Sequence, residues 1–185
     1  MVGHEKVLRQ SWIKLMRIYK RDQCNVIKTR KQDCGEKMAR VLIVYHTLSG
    51  NTEKMANAFA DGANSVQGTE VVIKKALDAT LEDLLGCDAI AFGSADYFSY
   101  ISGALKDFLD RTFYPSQGKV TGKPYAAFAT GGSGGEAALE VLDRICGSFK
   151  FKKAVEGVAV AGVPSSEVLA KCKEAGKNLA NAVAK

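Results

Sequence analysis

The chain has 185 residues, 46% hydrophobic and 25% charged, the makeup of one ordinary globular domain with enough apolar side chains to bury a core. Its net charge of +6 is uneven, because residues 1–38 hold ten Lys/Arg against four Asp/Glu and the remainder holds sixteen of each, so the body itself is neutral and carries no field suited to nucleic acid. The five cysteines (Cys24, Cys34, Cys87, Cys146, Cys172) are odd in number and lack CxxC or metal spacing, and no apolar run is long enough to span a bilayer or build a signal peptide; reduced thiols, no metal and a cytoplasmic location are expected.

Residues 1–37 contain the run KTRKQD and a single weakly amphipathic stretch, Ser11 to Lys20, with Trp12, Leu15, Met16 and Tyr19 on one face. A basic amphipathic helix of that kind could touch a membrane surface or nucleic acid. The plainer expectation is a basic extension, disordered or the product of a wrongly assigned start: Gly35-Glu36-Lys37 reverse-translates to a purine-rich segment like a ribosome-binding site just upstream of Met38. The domain is therefore expected to span 38–185.

From Met38 strand and helix alternate. Ala39 to His46 is a continuous apolar strand, after which Met55, Ala58, Phe59, Gly62, Ala63 and Val66 repeat at helical spacing. Thr69 to Ala76 reads as a second strand, Thr80 with Asp83 as a capping-box start to a short helix, and Ala89 to Ser94 as a third strand. Ile101, Ala104, Leu105, Phe108, Leu109 and Thr112 mark a helix, Pro124 to Thr130 a fourth strand, and Ala138, Val141, Leu142, Ile145 and Phe149 the helix after it. Ala154 to Val163 is the fifth strand; beyond Pro164-Ser165 the residues Val168, Leu169, Cys172, Gly176, Leu179, Ala180 and Val183 form a last helix. Apolar strands joined by helices predict a doubly wound α/β fold: a five-stranded parallel sheet, order 2-1-3-4-5, with helices on both faces.

Ligands of such sheets sit beyond the carboxyl ends of the strands, where strand order reverses. Three polar or glycine-rich segments fall at such ends: TLSGNT after strand one, DYFSY after strand three and TGGSGG after strand four. The first enters a helix N-terminus, whose unpaired N–H groups and positive dipole end can hold a phosphate without a basic side chain. Thr47, Ser49 and Thr52 add hydroxyl donors, Asn51 an amide, and Gly50 lets the backbone approach closely. The loop has neither GxxxxGK[ST] nor GxGxxG, and the acidic residues of a receiver domain are replaced by His46 and Thr47. One terminal monophosphate is the best-matched ligand.

These residues carry a resemblance. VLIVYHTLSGNTEKMA, AFGSADYFSYISGALKDFLDRT and YAAFATGGSGGE, in that order over the whole of 38–185, resemble the flavodoxin-like FMN proteins, closest to the short oxidoreductases and NAD(P)H:quinone reductases of the tryptophan-repressor-binding-protein type. The resemblance implies noncovalent FMN, its phosphate held by Thr47, Ser49, Gly50, Asn51 and Thr52 with Leu48 in the same loop. The ring would lie between Ala95, Asp96, Tyr97 and Phe98 on one side and Thr130, Gly131, Gly132, Ser133, Gly134 and Gly135 on the other. Tyr97, Phe98 and Tyr100 offer aromatic faces to a flat ring, and the glycines of GGSGG let main-chain N–H groups reach its polar edge. At least one of Phe98 and Tyr100 is expected to be partly core, beneath the helix, instead.

Ala95-Asp96 stands where relatives often have Pro-Thr, and Ser99 where many have glycine. Asp96 would disfavour an anionic reduced ring and repel an acidic substrate. Without glycine between Ala95 and Ile101, left-handed backbone is not expected to come easily there. No insertion splits strand five, as in the short forms, and a monomer or a homo-oligomer is equally compatible. No catalytic residue is assigned; His46 is either catalytic or a satisfied structural histidine.

Two functions of different class follow. One is an enzyme moving electrons from NAD(P)H through FMN to a quinone or similar small acceptor. The other is a one-electron carrier docking on redox partner proteins; such carriers are usually strongly acidic, and sixteen charges of each sign give no such field. The enzyme is the favoured expectation. A flavin-free interaction domain would show degraded loops, and these are intact. A chain shortened to begin at Met38 is expected to melt cooperatively and to retain ligand binding; precipitation of that chain would assign residues 1–37 to the domain.

Overall fold

The computed structural model describes residues 38–184, so expectations for residues 1–37 lie outside the described residues. The elements are β1 (Ala39–Tyr45), α1 (Asn51–Asn64), β2 (Thr69–Lys75), α2 (Leu81–Gly86), β3 (Ala89–Ala95), α3 (Gly103–Ser116), β4 (Pro124–Gly131), α4 (Glu136–Phe149), β5 (Lys152–Lys153), β6 (Val158–Ala161) and α5 (Ser166–Asn181). All strands are parallel in the order β2-β1-β3-β4, with β5 and β6 both pairing to the outer side of β4. Among the described residues the predicted class, strand order and five helices are those observed.

The alternating side chains of β1 explain the layers. Val41, Ile43 and Tyr45 face α1 and α5 and join Met55, Phe59, Leu179 and Phe128 in one apolar cluster. Leu42 and Val44 face the other way, joining Ile90 and Phe92 of β3 with Leu105, Phe108, Val141 and Leu142 of α3 and α4. Strands buried on both faces need continuous apolar sequence, and β1, β3 and β4 have it. Thr80 caps α2 as the sequence predicts, its hydroxyl accepting from the N–H of Asp83 while the Asp83 carboxylate accepts from that of Thr80.

The fifth strand departs from expectation. Instead of one run from Ala154 to Val163, it forms two short segments separated by residues 154–157. Tyr125 pairs with Lys153 and Phe128 with Val158, so three steps along β4 are matched by five on the outer chain, and the two surplus residues bulge out of the ladder. Gly157 ends the bulge against Leu139, where a Cβ would come within 2.8 Å of a methyl carbon. The apolar pattern alone does not show such a local excess of backbone.

Helices α1 and α5 meet backbone to backbone. A Cβ on Gly62 would fall 1.8 Å from the carbonyl oxygen of Lys173, and one on Gly176 would fall 2.0 Å from that of Phe59. This close approach fixes where α1 begins, and hence the loop before it. Gly62→Ala is expected to destabilise the protein by about 1–3 kcal/mol through overpacking, outweighing alanine's better helix propensity. Gly147→Ala, on α4 where nothing lies within 4 Å, is expected to stabilise it. Equal shifts of the denaturation midpoint for the two would refute the packing argument.

Candidate functional site

Four loops converge beyond the carboxyl ends of the strands. The first turns sharply out of β1: Gly50 takes the left-handed φ of 83° that an L side chain resists, and its N–H donates to Oγ1 of Thr47 at 2.9 Å. Lys54 is the first residue of α1 to donate within the helix, to the carbonyl of Gly50 at 3.1 Å, which leaves the N–H groups of Asn51, Thr52 and Glu53 without intrahelical partners. Three side-chain ties hold this helix start. Tyr45 donates its hydroxyl to Glu53 at 2.6 Å, Asn51 donates its amide to the carbonyl of Gly162 at 3.2 Å, and the hydroxyls of Thr52 and Thr130 share a hydrogen bond of 2.9 Å. Burial, and then the bond to Glu53, push the Tyr45 phenol up to about 12, so it stays a donor.

The second loop is a miniature hairpin. Asp96 pairs with Ile101 in an antiparallel bridge, and Tyr97 and Tyr100 exchange N–H···O bonds of 2.9 and 3.1 Å. Phe98 and Ser99 at its tip both have φ of 58°, the signature of the mirror-image two-residue turn that normally takes Asn-Gly. Left-handed backbone is thus adopted here without glycine, contrary to expectation. The base of the hairpin is pinned by buried Ser94, whose hydroxyl donates to the carbonyl of Ala95 and accepts from the N–H of Ser102. Tyr97 stays half-buried while Phe98 is fully exposed and Tyr100 is 38% exposed, so neither Phe98 nor Tyr100 is core.

The third loop folds back on itself. A Cβ on Gly131 would fall 1.5 Å from the carbonyl oxygen of Gly134, and Gly134 itself has φ of 137°. Gly135 is buried against Ala129 and seats α4 on the strand end, whereas Gly132 has open space on its outer side.

Between the loops runs a groove of about 280 Å³ lined by Leu48, Ser49, Asn51, Ala95, Asp96, Tyr97, Thr130, Gly131, Gly132 and Gly162. Of the other sequence candidates, Thr47 and Gly50 shape the first loop from behind the lining, Thr52 is fully buried with its hydroxyl turned to Thr130, and Phe98, Ser133, Gly134 and Gly135 stand outside the wall. Gly162 escaped the sequence reading. Its position at the end of the fifth strand, with φ of 68° just before Val163-Pro164, is the signal that could have found it. A larger cavity of about 400 Å³ lies at the opposite edge of the sheet, between the C-terminal ends of α3 and α4. The carbonyls ending those helices repel an anion, whereas the smaller groove lies at the N-terminal end of α1.

His46 follows β1 directly, half-buried, its ring edge-on to Tyr97 at 6.4 Å. Desolvation, and then the Lys75 ammonium, hold its imidazole below the ordinary histidine value, so it is neutral at pH 7. Cys87, Cys146 and Cys172 are buried thiols pushed up by burial, Cys87 to about 11 and Cys172 to about 12, and are unreactive. No group of His, Cys, Asp and Glu suited to a metal ion occurs among the described residues, and no described helix is long and apolar enough to cross a membrane.

Comparison with known proteins gives the same account of the fold. The family model described as flavodoxin matches residues 43–176. A curated flavodoxin from Aquifex aeolicus is 36% identical over 163 residues, covering 80% of this chain and 88% of its own. Among solved structures, a flavodoxin from the domain Archaea superposes with a TM-score of 0.68 at 28% identity, covering 77% of this chain and 97% of that one. A flavodoxin, WrbA-like protein from Agrobacterium tumefaciens shares the fold at 22% identity and a TM-score of 0.64, covering 78% of this chain and 96% of its own.

The left-handed tip of the second loop yields a test. Ser99→Gly is expected to raise stability by about 1 kcal/mol in denaturant unfolding, because left-handed backbone costs an L residue roughly that much and glycine nothing. Ser99→Val should lower it. An unchanged midpoint for both would show that the turn is not left-handed at Ser99.

Proposed function

This chain belongs to the flavodoxin family, whose cofactor is FMN, and on that premise we propose that the groove holds FMN noncovalently and passes electrons from NAD(P)H to a quinone or similar small acceptor. The observation that carries the reading is the start of α1: a loop free of cationic side chains whose unpaired N–H groups, with the exposed Ser49 hydroxyl, answer the charge of one terminal monophosphate. Other features of this chain fit the same cofactor. Tyr97 offers an aromatic wall, and the open side of Gly132 leaves main chain accessible to a flat polar edge. FMN supplies the redox chemistry, while the residues bind it, orient it and set its surroundings.

Thr47, Asn51 and Thr52 enter the reading with altered roles. Their polar groups already hold the loop together, so the ligand donors are chiefly the N–H groups and Ser49. Preorganised donors lose little freedom on binding, and the bonds within the protein supply that order.

A one-electron carrier serving redox partner proteins is the second reading, favoured by the 36% identical relative, which is itself a flavodoxin. Phe98 and Ser99 already occupy left-handed backbone, so the lack of glycine in their loop does not separate the two readings. The near-neutral body favours a small acceptor, since it offers no long-range field to steer a charged protein.

Absorbance titration is expected to give one FMN site per chain, with FAD weaker. Ser49→Ala should weaken FMN by about tenfold to a hundredfold, the loss of one hydrogen bond to a charged group of about 1.5–3 kcal/mol, and leave riboflavin unchanged. Absence of flavin binding would overturn the reading, and equal losses for both ligands would remove Ser49 from the phosphate. Mixing the FMN-loaded protein with NADH or NADPH and a quinone decides between the classes: turnover supports the enzyme, and failure of either nucleotide to reduce the flavin supports the carrier.

A further inference from the structure

We propose that His46 is a positioning residue which, in its neutral form only, holds Tyr97 as a wall of the flavin groove, so that flavin binding is linked to a proton. The inference rests on the FMN reading for the groove's occupant and on three features of this structure for the rest.

The first is the buried Nδ1 atom of His46, which has no hydrogen-bond partner. The ring proton therefore belongs on Nε2, since an N–H at Nδ1 would be a buried donor with nothing to receive it. A second proton can go only to Nδ1. The imidazolium forms by placing that donor in a partnerless site, or by swinging out of it.

The second feature is what the ring touches. His46 is fixed at the end of β1 by its N–H bond to the carbonyl of Gly93 at 3.0 Å, and its ring meets Tyr97 edge-on, with 69° between the planes. Tyr97 lines the groove and His46 does not, so the histidine acts on a ligand through the tyrosine. A ring that leaves its site removes the contact behind that wall.

The third is the charge around it. The Lys75 ammonium, from the end of β2 beside β1, opposes a second positive charge. Tyr45, the preceding residue, points to the opposite face of the sheet and spends its hydroxyl on Glu53. No carboxylate is among the groups acting on the imidazole.

A ligand that needs the neutral form binds more weakly as the imidazole takes up its proton. With the imidazole held below its ordinary value near 6.5, affinity is full at neutral pH and falls on acidification below that value, by up to about tenfold per pH unit. Riboflavin is the probe, because it lacks the phosphate whose own ionisation would overlay the effect. Binding by the full chain from pH 7.5 to 5 is expected to weaken in this way, whereas His46→Gln and His46→Phe should give flat profiles. A flat wild-type profile, or variants as steep as the wild type, would overturn the proposal.

The chain has only two histidines, His4 and His46, so the imidazole titration can be followed directly by NMR on the unmodified protein. A His46 midpoint below 6.5, with the Tyr97 ring signals shifting at the same midpoint, is expected even without ligand. An ordinary midpoint with no Tyr97 response would overturn the proposal whether or not the variants fold. Absence of all flavin binding together with the expected NMR response would instead overturn the choice of ligand and keep the histidine–tyrosine coupling.

Discussion

The carboxyl edge of this sheet depends on one constraint: the first turn of α1 must leave its N–H groups unpaired and yet stay folded. Unpaired donors are harmless in water and costly where they are shielded, so the loop before α1 must be both open and held. Gly50 opens it by turning with positive φ, and the ties of Thr47, Asn51, Thr52 and Glu53 hold it from behind and from both sides. The Thr47 tie closes within the loop on Gly50, and the partners of the other three lie on β1, β4 and the loop after β6. The loop is therefore positioned by the sheet, and its geometry depends on strands far away in sequence.

That dependence runs through the core. β1 can deliver Thr47 to the edge because Val41, Ile43 and Tyr45 pack on one face and Leu42 and Val44 on the other. α1 can start where it does because Gly62 and Gly176 let α1 and α5 touch without side chains between them. Gly93 serves the same end in β3, where a Cβ would fall 2.3 Å from a ring carbon of Phe128. Phe128 in turn stacks on Phe59 of α1, at 5.6 Å between ring centroids. Each glycine admits a neighbour, and each neighbour fixes part of the loop edge.

How much of this was legible in the sequence follows from the range of each signal. Continuous apolar runs and helical spacing are local, and they give nine of the ten predicted elements to within a few residues; Thr80 with Asp83 gives its cap outright. The break in the fifth strand is not local, because it arises from a mismatch of two residues against β4. Thr52 reads as a phosphate donor until the fold sets Thr130, 78 residues away, against its hydroxyl. Phe98-Ser99 carries none of the usual turn residues, and only the reciprocal bonds between Tyr97 and Tyr100 show that the tip is left-handed. Side-chain chemistry was readable, but which partner would claim it was not.

The second loop shows how the fold accommodates strain at this edge. Two left-handed L residues in succession cost about 1–2 kcal/mol each, more than the turn's own two hydrogen bonds return at about 1 kcal/mol apiece. The conformation persists because Ser94, fully buried, ties both ends of the hairpin to β3, so relaxing the tip would break bonds that water cannot replace. What the constraint secures is the direction of Tyr97. With its backbone locked to Tyr100 and its ring crossing that of His46 at 69°, that side chain is held from two sides and faces the groove, while Phe98 stands in solvent. The loop thus keeps one aromatic fixed and exposes the other: Tyr97 is held as a wall of the groove, and Phe98 takes no part in that wall.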